Sequence, residues 1–122
     1  MENDNRSGDL KDRTYQYALN VASFCNTTAE NPYHKDILTK LFQKSSNLAL
    51  TTRLAFKGRS NAEFRDKLRT IINDSDECIF WFDMLIDLSF VEEESVSDLM
   101  TEASELIAIF ISISKKSRTN QN

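Results

Sequence analysis

Glycine and proline are nearly absent from this chain, with two glycines and one proline in 122 residues. A β-sandwich or barrel needs turn residues roughly every ten positions, so that class is excluded and long uninterrupted helices are favoured. Cysteine is equally scarce. Cys25 and Cys78 stand alone, without a CxxC pair or a secretory context, which points to reduced, buried thiols instead of a disulfide. No apolar run follows a basic start, and no run of about 18 uncharged apolar residues exists, so neither a signal peptide nor a membrane span is expected. The expected location is the cytoplasm.

Chemistry-bearing patterns are missing too. His34 is the only histidine, and no arginine precedes it at the spacing of an R-x4-6-H nuclease motif. Placed just after Asn31-Pro32, it reads as a surface or capping residue. There is no Glu-x-x-His pair for a metal, no glycine-rich phosphate loop and no G-x-S-x-G. The acidic run Asp74, Asp76 and Glu77 reads as a solvated helix face and not as a cation site. No catalytic, cofactor-binding or metal-binding residues are expected, and the chain does not read as an enzyme.

What is present is ordinary for one globular domain: 40% hydrophobic residues, 28% charged, and a mean hydropathy of −0.46. Residues 1–9, MENDNRSGD, lack periodicity and read as a flexible tail, with a second at 118–122. Between them, residues 10–117 divide into four helices. The first runs from about Leu10 to Thr28, with Tyr15, Ala18, Leu19, Ala22 and Cys25 as its apolar row and Val21 and Phe24 widening that face. The second spans about Pro32 to Lys57, capped by Asn31 and ended by Gly58. Its apolar row is Ile37, Leu41, Leu48 and Ala55. Ser60-Asn61-Ala62-Glu63 has the capping-box form and opens a third helix reaching about Ser89. A fourth follows the acidic turn 91–94, with Ser95–Asp98 as its expected cap or a start up to four residues earlier. Short turns make these an all-α, antiparallel, up-down-up-down four-helix bundle.

The stretch Glu77 to Phe90, ECIFWFDMLIDLSF, exceeds what one helix of a bundle needs. On a helical wheel Ile71, Ser75, Cys78, Phe82 and Leu85 form the core stripe. Ile72, Ile79 and Ile86 lie on one flank, and Trp81, Met84 and Leu88 on the other. Together they cover about 240° of the circumference, against the 100° or somewhat more of a one-sided helix. The second half of the last helix, with Ile109, Ile111 and Ile113, is apolar on several faces as well. Such a surplus predicts burial by another chain. The candidate oligomer interface is Trp81, Phe82, Met84, Leu88, Ile109 and Ile113. The competing reading is a monomer whose long neighbouring side chains cover the margins.

Charge is segregated along the chain. Lys35 to Arg69 holds nine basic and three acidic residues, whereas Asp74 to Glu105 holds eleven acidic residues and no Lys or Arg. The formal net charge of −4 argues mildly against a general nucleic-acid binder. Arg53, Lys57, Arg59, Arg65, Lys67 and Arg69 straddle the second turn. They are candidate phosphate contacts, or partners for the acidic helices of a neighbouring subunit, and the latter is preferred because few aromatics accompany them.

Phe64 to Leu85 reads FRDKLRTIINDSDECIFWFDML, and it resembles the third helix of the four-helix bundle proteins known as the 23S rRNA-intervening-sequence protein family. Phe64, Lys67, Leu68, Ile72, Glu77, Phe80, Trp81 and Leu85 fit that family's order and spacing, and Ser60 fits the serine that precedes the helix. The chain departs in helix two, where Asn47–Ala55 reads NLALTTRLA and the family has a stretch like SIGANIAEA. Thr51 and Leu54 stand where the family has asparagine and glutamate. The resemblance implies a ring-like homo-oligomer, commonly a pentamer, without established enzymatic activity. It also implies relatives that serve as accessory factors to reverse transcriptases through basic, RNA- or DNA-binding surfaces. A homo-oligomer acting by protein–protein interaction is therefore the leading expectation. The alternative is a nucleic-acid-binding accessory factor using the basic turn. No membrane and no small-molecule substrate is expected.

Overall fold

A computed structural model describes residues 2–28, 31–57 and 60–119, with side chains described from 8 to 117. Four helices follow in order: α1 (Glu2–Thr27), α2 (Pro32–Ala55), α3 (Asn61–Asp87) and α4 (Glu93–Thr119). Each packs on its neighbour in sequence and α4 returns to α1, while α1 and α3, on the diagonal, keep their backbones apart and meet through core side chains such as Phe24 and Phe82. This is the antiparallel up-down-up-down bundle that the short connections require. The α1–α4 seam is its loosest side.

Capping chemistry sets the helix starts. Asn31 has extended backbone, and its Oδ1 accepts the His34 amide at 2.8 Å, with Pro32 in the first turn where its missing N–H costs nothing. Ser60 caps α3 in the same way, its Oγ accepting the Glu63 amide at 3.2 Å. α4 starts at Glu93, earlier than Ser95–Asp98. Glu93 and Glu94 favour the positive helix end there, and the Ser95 hydroxyl donates back to the Glu92 carbonyl at 2.7 Å instead of capping. α2 ends at Ala55, with Phe56 as its C-terminal cap. Gly58, the expected stop residue, lies outside the described residues, as do Met1 and 120–122 of the expected tails, whereas residues 2–9 and 118–119 of those tails are helical and extend α1 and α4.

The α3–α4 turn closes without glycine. Ser89 adopts φ 60°, its amide donating to the Ile86 carbonyl, while Phe90 donates to the Leu85 carbonyl, both at 2.9 Å. That is the Schellman arrangement, with a serine in the left-handed position glycine normally fills.

The core stripes of α2 and α3 fall where the sequence placed them. Leu41, Leu48, Leu68, Ile71, Leu85 and Leu106 are fully buried, each contributing about 2 kcal/mol of hydrophobic stabilisation. α1 is rotated from expectation, although Ala18 and Val21 are buried as expected. Its inward row is Leu10, Thr14, Tyr17 and Val21, and Tyr15 and Leu19 are 62% and 45% exposed. The reason is Thr14: its hydroxyl donates to the Leu10 carbonyl at 2.8 Å, so a residue that reads as polar is buried at little cost. Thr52 and Ser75 do the same with Leu48 and Ile71.

Candidate interaction surfaces

Residues from both sides define the α2–α3 face. Lys44 of α2 reaches Asp74 at 3.9 Å and Glu77 at 3.4 Å of α3, and the Asn47 amide donates to Asp74 at 2.6 Å. Asp74 is buried, and that burial raises its carboxyl above the ordinary range against the opposing pull of Asn47 and Lys44. The solvated-face reading of Asp74, Asp76 and Glu77 therefore holds for Asp76 but not for Asp74, while Glu77 is half-buried. The signal was present, since Asp74 follows Ile71 by three residues and precedes Cys78 by four, on the core stripe itself.

Glu77, Trp81, Met84 and Leu88 recur at helical spacing, so all four share the flank of α3 turned to α2. Trp81 and Met84 are half-buried, and Leu88 is 46% exposed. Phe80 is exposed beside them, packed edge-on against Trp81 with centroids 4.8 Å apart. The Trp81 indole N–H is buried without a hydrogen-bond partner among the described residues. Tyr33 precedes Lys44 by three turns and adds a further exposed aromatic at the start of α2 on the same side.

Phe82 does not belong to this surface. It is fully buried, with its ring edge-on to Phe24 of α1 at 5.7 Å, which removes it from the expected interface. Ile113 is removed too, since only 8% of it is exposed. Ile109 is half-buried and follows Glu102 and Glu105 at helical spacing, on the strip of α4 that faces Arg13 of α1. The expected interface thus resolves into Trp81, Met84 and Leu88 on the α2–α3 side and Ile109 on the opposite, α1–α4 side.

The six basic candidates are not one patch. Arg53 and Lys57 line a groove of about 610 Å³ between α1 and α2, with Lys11, Asp12, Tyr15 and Ala49. Arg65 and Arg69 border a smaller recess of about 220 Å³ between α3 and α4, with Ile72 and Ser114. Arg69 also pairs with Asp66 at 3.2 Å. Lys67 precedes Asp74 by seven residues and is half-buried on the α2 side of α3. Arg59 lies outside the described residues. A cluster continuous in sequence is therefore divided among three sides of the bundle. The 610 Å³ groove, which adds Lys11 and an exposed tyrosine, was hidden by the misread register of α1.

The remaining polar groups are structural. His34 is buried instead of exposed, its ring 4.6 Å from Phe90 of the α3–α4 turn, while its amide completes the α2 cap. Burial pushes the Cys78 thiol up to about 12 and the Cys25 thiol up to about 11, so neither is a ready nucleophile. Among the described residues no three His, Cys, Asp or Glu side chains converge to hold a metal, and no helix is long and apolar enough to cross a membrane.

No family model and no curated protein matches the chain. Its fold is similar to that of a solved protein of unknown function from the S23 ribosomal protein family of Bacteroides thetaiotaomicron. The TM-score is 0.82 and the identity 18%, over 89% of this chain and 97% of that one. At that identity the likeness carries the bundle architecture alone.

Proposed function

We propose that this chain is a non-enzymatic, ring-forming homo-oligomer of the 23S rRNA-intervening-sequence type, pentameric as the sequence resemblance implies, which acts by protein–protein interaction. The observation that carries the reading is the apolar surface left over once the bundle has closed. Phe80 and Leu88 are 52% and 46% exposed beside half-buried Trp81 and Met84, and Tyr33 is exposed at the start of α2. Apolar surface of this kind is costly on a soluble monomer and typical of a protein interface. The fold shared with an S23-family protein and the Phe64–Leu85 pattern support the same reading. Light scattering during size-exclusion chromatography tests it: a multiple of 14.1 kDa is expected at micromolar concentration, and a stable 14.1 kDa monomer rejects it.

A second reading, a nucleic-acid-binding accessory factor, draws support from the α1–α2 groove. There Lys11, Arg53 and Lys57 surround the exposed ring of Tyr15, a pairing of cations and aromatic that suits a single strand. Titration with labelled RNA and DNA is expected to show binding that weakens with salt and with Arg53→Glu. Absence of binding at low salt rejects this reading.

A further inference from the structure

α3 carries a second outward feature. Asp76, Phe80, Asp83 and Asp87 recur at spacings of four, three and four, so they form one stripe facing away from the core. All four are exposed, and among the described residues none of the three aspartates has an ion-pair partner. Phe80 stands in the middle, edge-on to Trp81 at 4.8 Å and 77°. An exposed aromatic supplies a large apolar contact area when it docks in a pocket.

The α1–α2 groove is its chemical complement. Lys11, Arg53 and Lys57 outnumber the single carboxylate of Asp12, and none of the three cations has an ion-pair partner among the described residues. Ala49 leaves room in the groove, and Tyr15 supplies an aromatic wall. Its volume of about 610 Å³ exceeds several-fold the roughly 150 Å³ that accommodates a benzene ring.

Resting on the assembly reading above, we infer that neighbouring copies join head to tail, with Phe80 and its flanking aspartates of one copy seated in the Lys11–Arg53–Lys57 groove of the next. The two patches belong to one chain but do not meet within it: α3 meets α1 on its core side, where Phe82 packs on Phe24, whereas Asp76, Phe80, Asp83 and Asp87 are exposed on its outer side. The contact is therefore heterologous, the kind that repeats around a ring. A second copy suits the groove better than a nucleic-acid strand does, because one contact partners both the unpaired cations and the unpaired carboxylates. Opposite charges would also fix the orientation in which copies meet.

Charge reversal tests the contact. Asp83→Lys with Asp87→Lys, and separately Arg53→Glu with Lys57→Glu, are each expected to reduce the assembly to the 14.1 kDa subunit with helicity retained. Combining all four substitutions in one chain is expected to restore the assembly. A second measurement does not depend on those variants: in a Cys25→Ser background, chains carrying Asp76→Cys at the edge of the stripe and chains carrying Asp12→Cys at the edge of the groove, which keep Phe80 and the groove cations, are expected to cross-link when mixed. An assembled wild type that ignores both reversals, or no cross-link, overturns this contact and leaves the assembly reading standing. So does a groove reversal that abolishes RNA binding without changing the mass. A monomeric wild type removes both.

Discussion

Asn47 and Asp74, one on α2 and one on α3, share a 2.6 Å hydrogen bond in which the amide supports a carboxylate that burial has cut off from water. The bond counters part of a desolvation penalty that the core position imposes.

Asn47→Ala is expected to cost about 1.5–3 kcal/mol at neutral pH, the range for a hydrogen bond to a charged group. The sign with pH follows from the raised pKa of Asp74, which burial makes a weaker acid in the native state. Between its unfolded value of 3.8 and its higher native value, the native state retains a proton that the unfolded state has released, so stability falls as pH rises through that window. Above the native value the carboxylate is charged and depends on Asn47. The cost of Asn47→Ala should therefore be full at neutral pH and should shrink in acid. Urea unfolding of both proteins in each range measures it, and an equal cost in both would contradict the account.

Ser89 holds a left-handed backbone, with φ 60°, at the end of α3. Glycine adopts that conformation without a clash of its side chain, so Ser89→Gly is expected to stabilise the fold by about 1 kcal/mol. Ser89→Val should destabilise it, because a β-branched side chain is a poor fit to positive φ. Thermal unfolding of the pair separates them, and identical midpoints would count against the strain.

Phe80 and Phe82 are two residues apart and have opposite roles. Phe82→Ala empties a site that is fully buried against Phe24, so it is expected to cost about 3–5 kcal/mol of subunit stability. Phe80→Ala removes a ring that is already 52% exposed and should alter subunit stability by only about 0.5 kcal/mol. Its effect should appear instead as a lower mass in solution. Denaturation at low concentration, paired with light scattering, distinguishes the two, and equal losses of stability would show that Phe80 belongs to the core.

Much of the bundle was legible because helical period and capping chemistry are local. Asn31 and Ser60 announce α2 and α3, and the stripe from Ile71 to Leu85 points inward as its spacing requires. What escaped was decided by groups that supply their own partners or borrow them from another helix. Thr14 hides its hydroxyl in its own backbone, which turned α1 and exposed Tyr15. Asp74 is tolerated inside because Asn47, 27 residues upstream, meets it. The α3–α4 turn carried no glycine to mark the left-handed residue. The basic run from Arg53 to Arg69 looked like one patch because sequence distance says nothing about which neighbour each helix flank meets. Arg53 and Lys57 belong to α1's side, and Arg65 and Arg69 to α4's. The interface candidates divided for the same reason.

The seam between α1 and α4 bears on the order of folding. Its side-chain clasp, Arg13 to Glu102 through two 2.7 Å bonds, joins residues 89 positions apart, whereas the α2–α3 and α3–α4 hairpins each close over one short turn. Contacts across long loops are entropically the last worth making. The hairpins should then form the nucleus, with the N-terminal helix fastened to its far edge afterwards. Arg13→Ala is expected to speed unfolding and leave the refolding rate nearly unchanged, as stopped-flow chevrons would record. A slowed refolding arm would instead mean that the first and last helices find each other early.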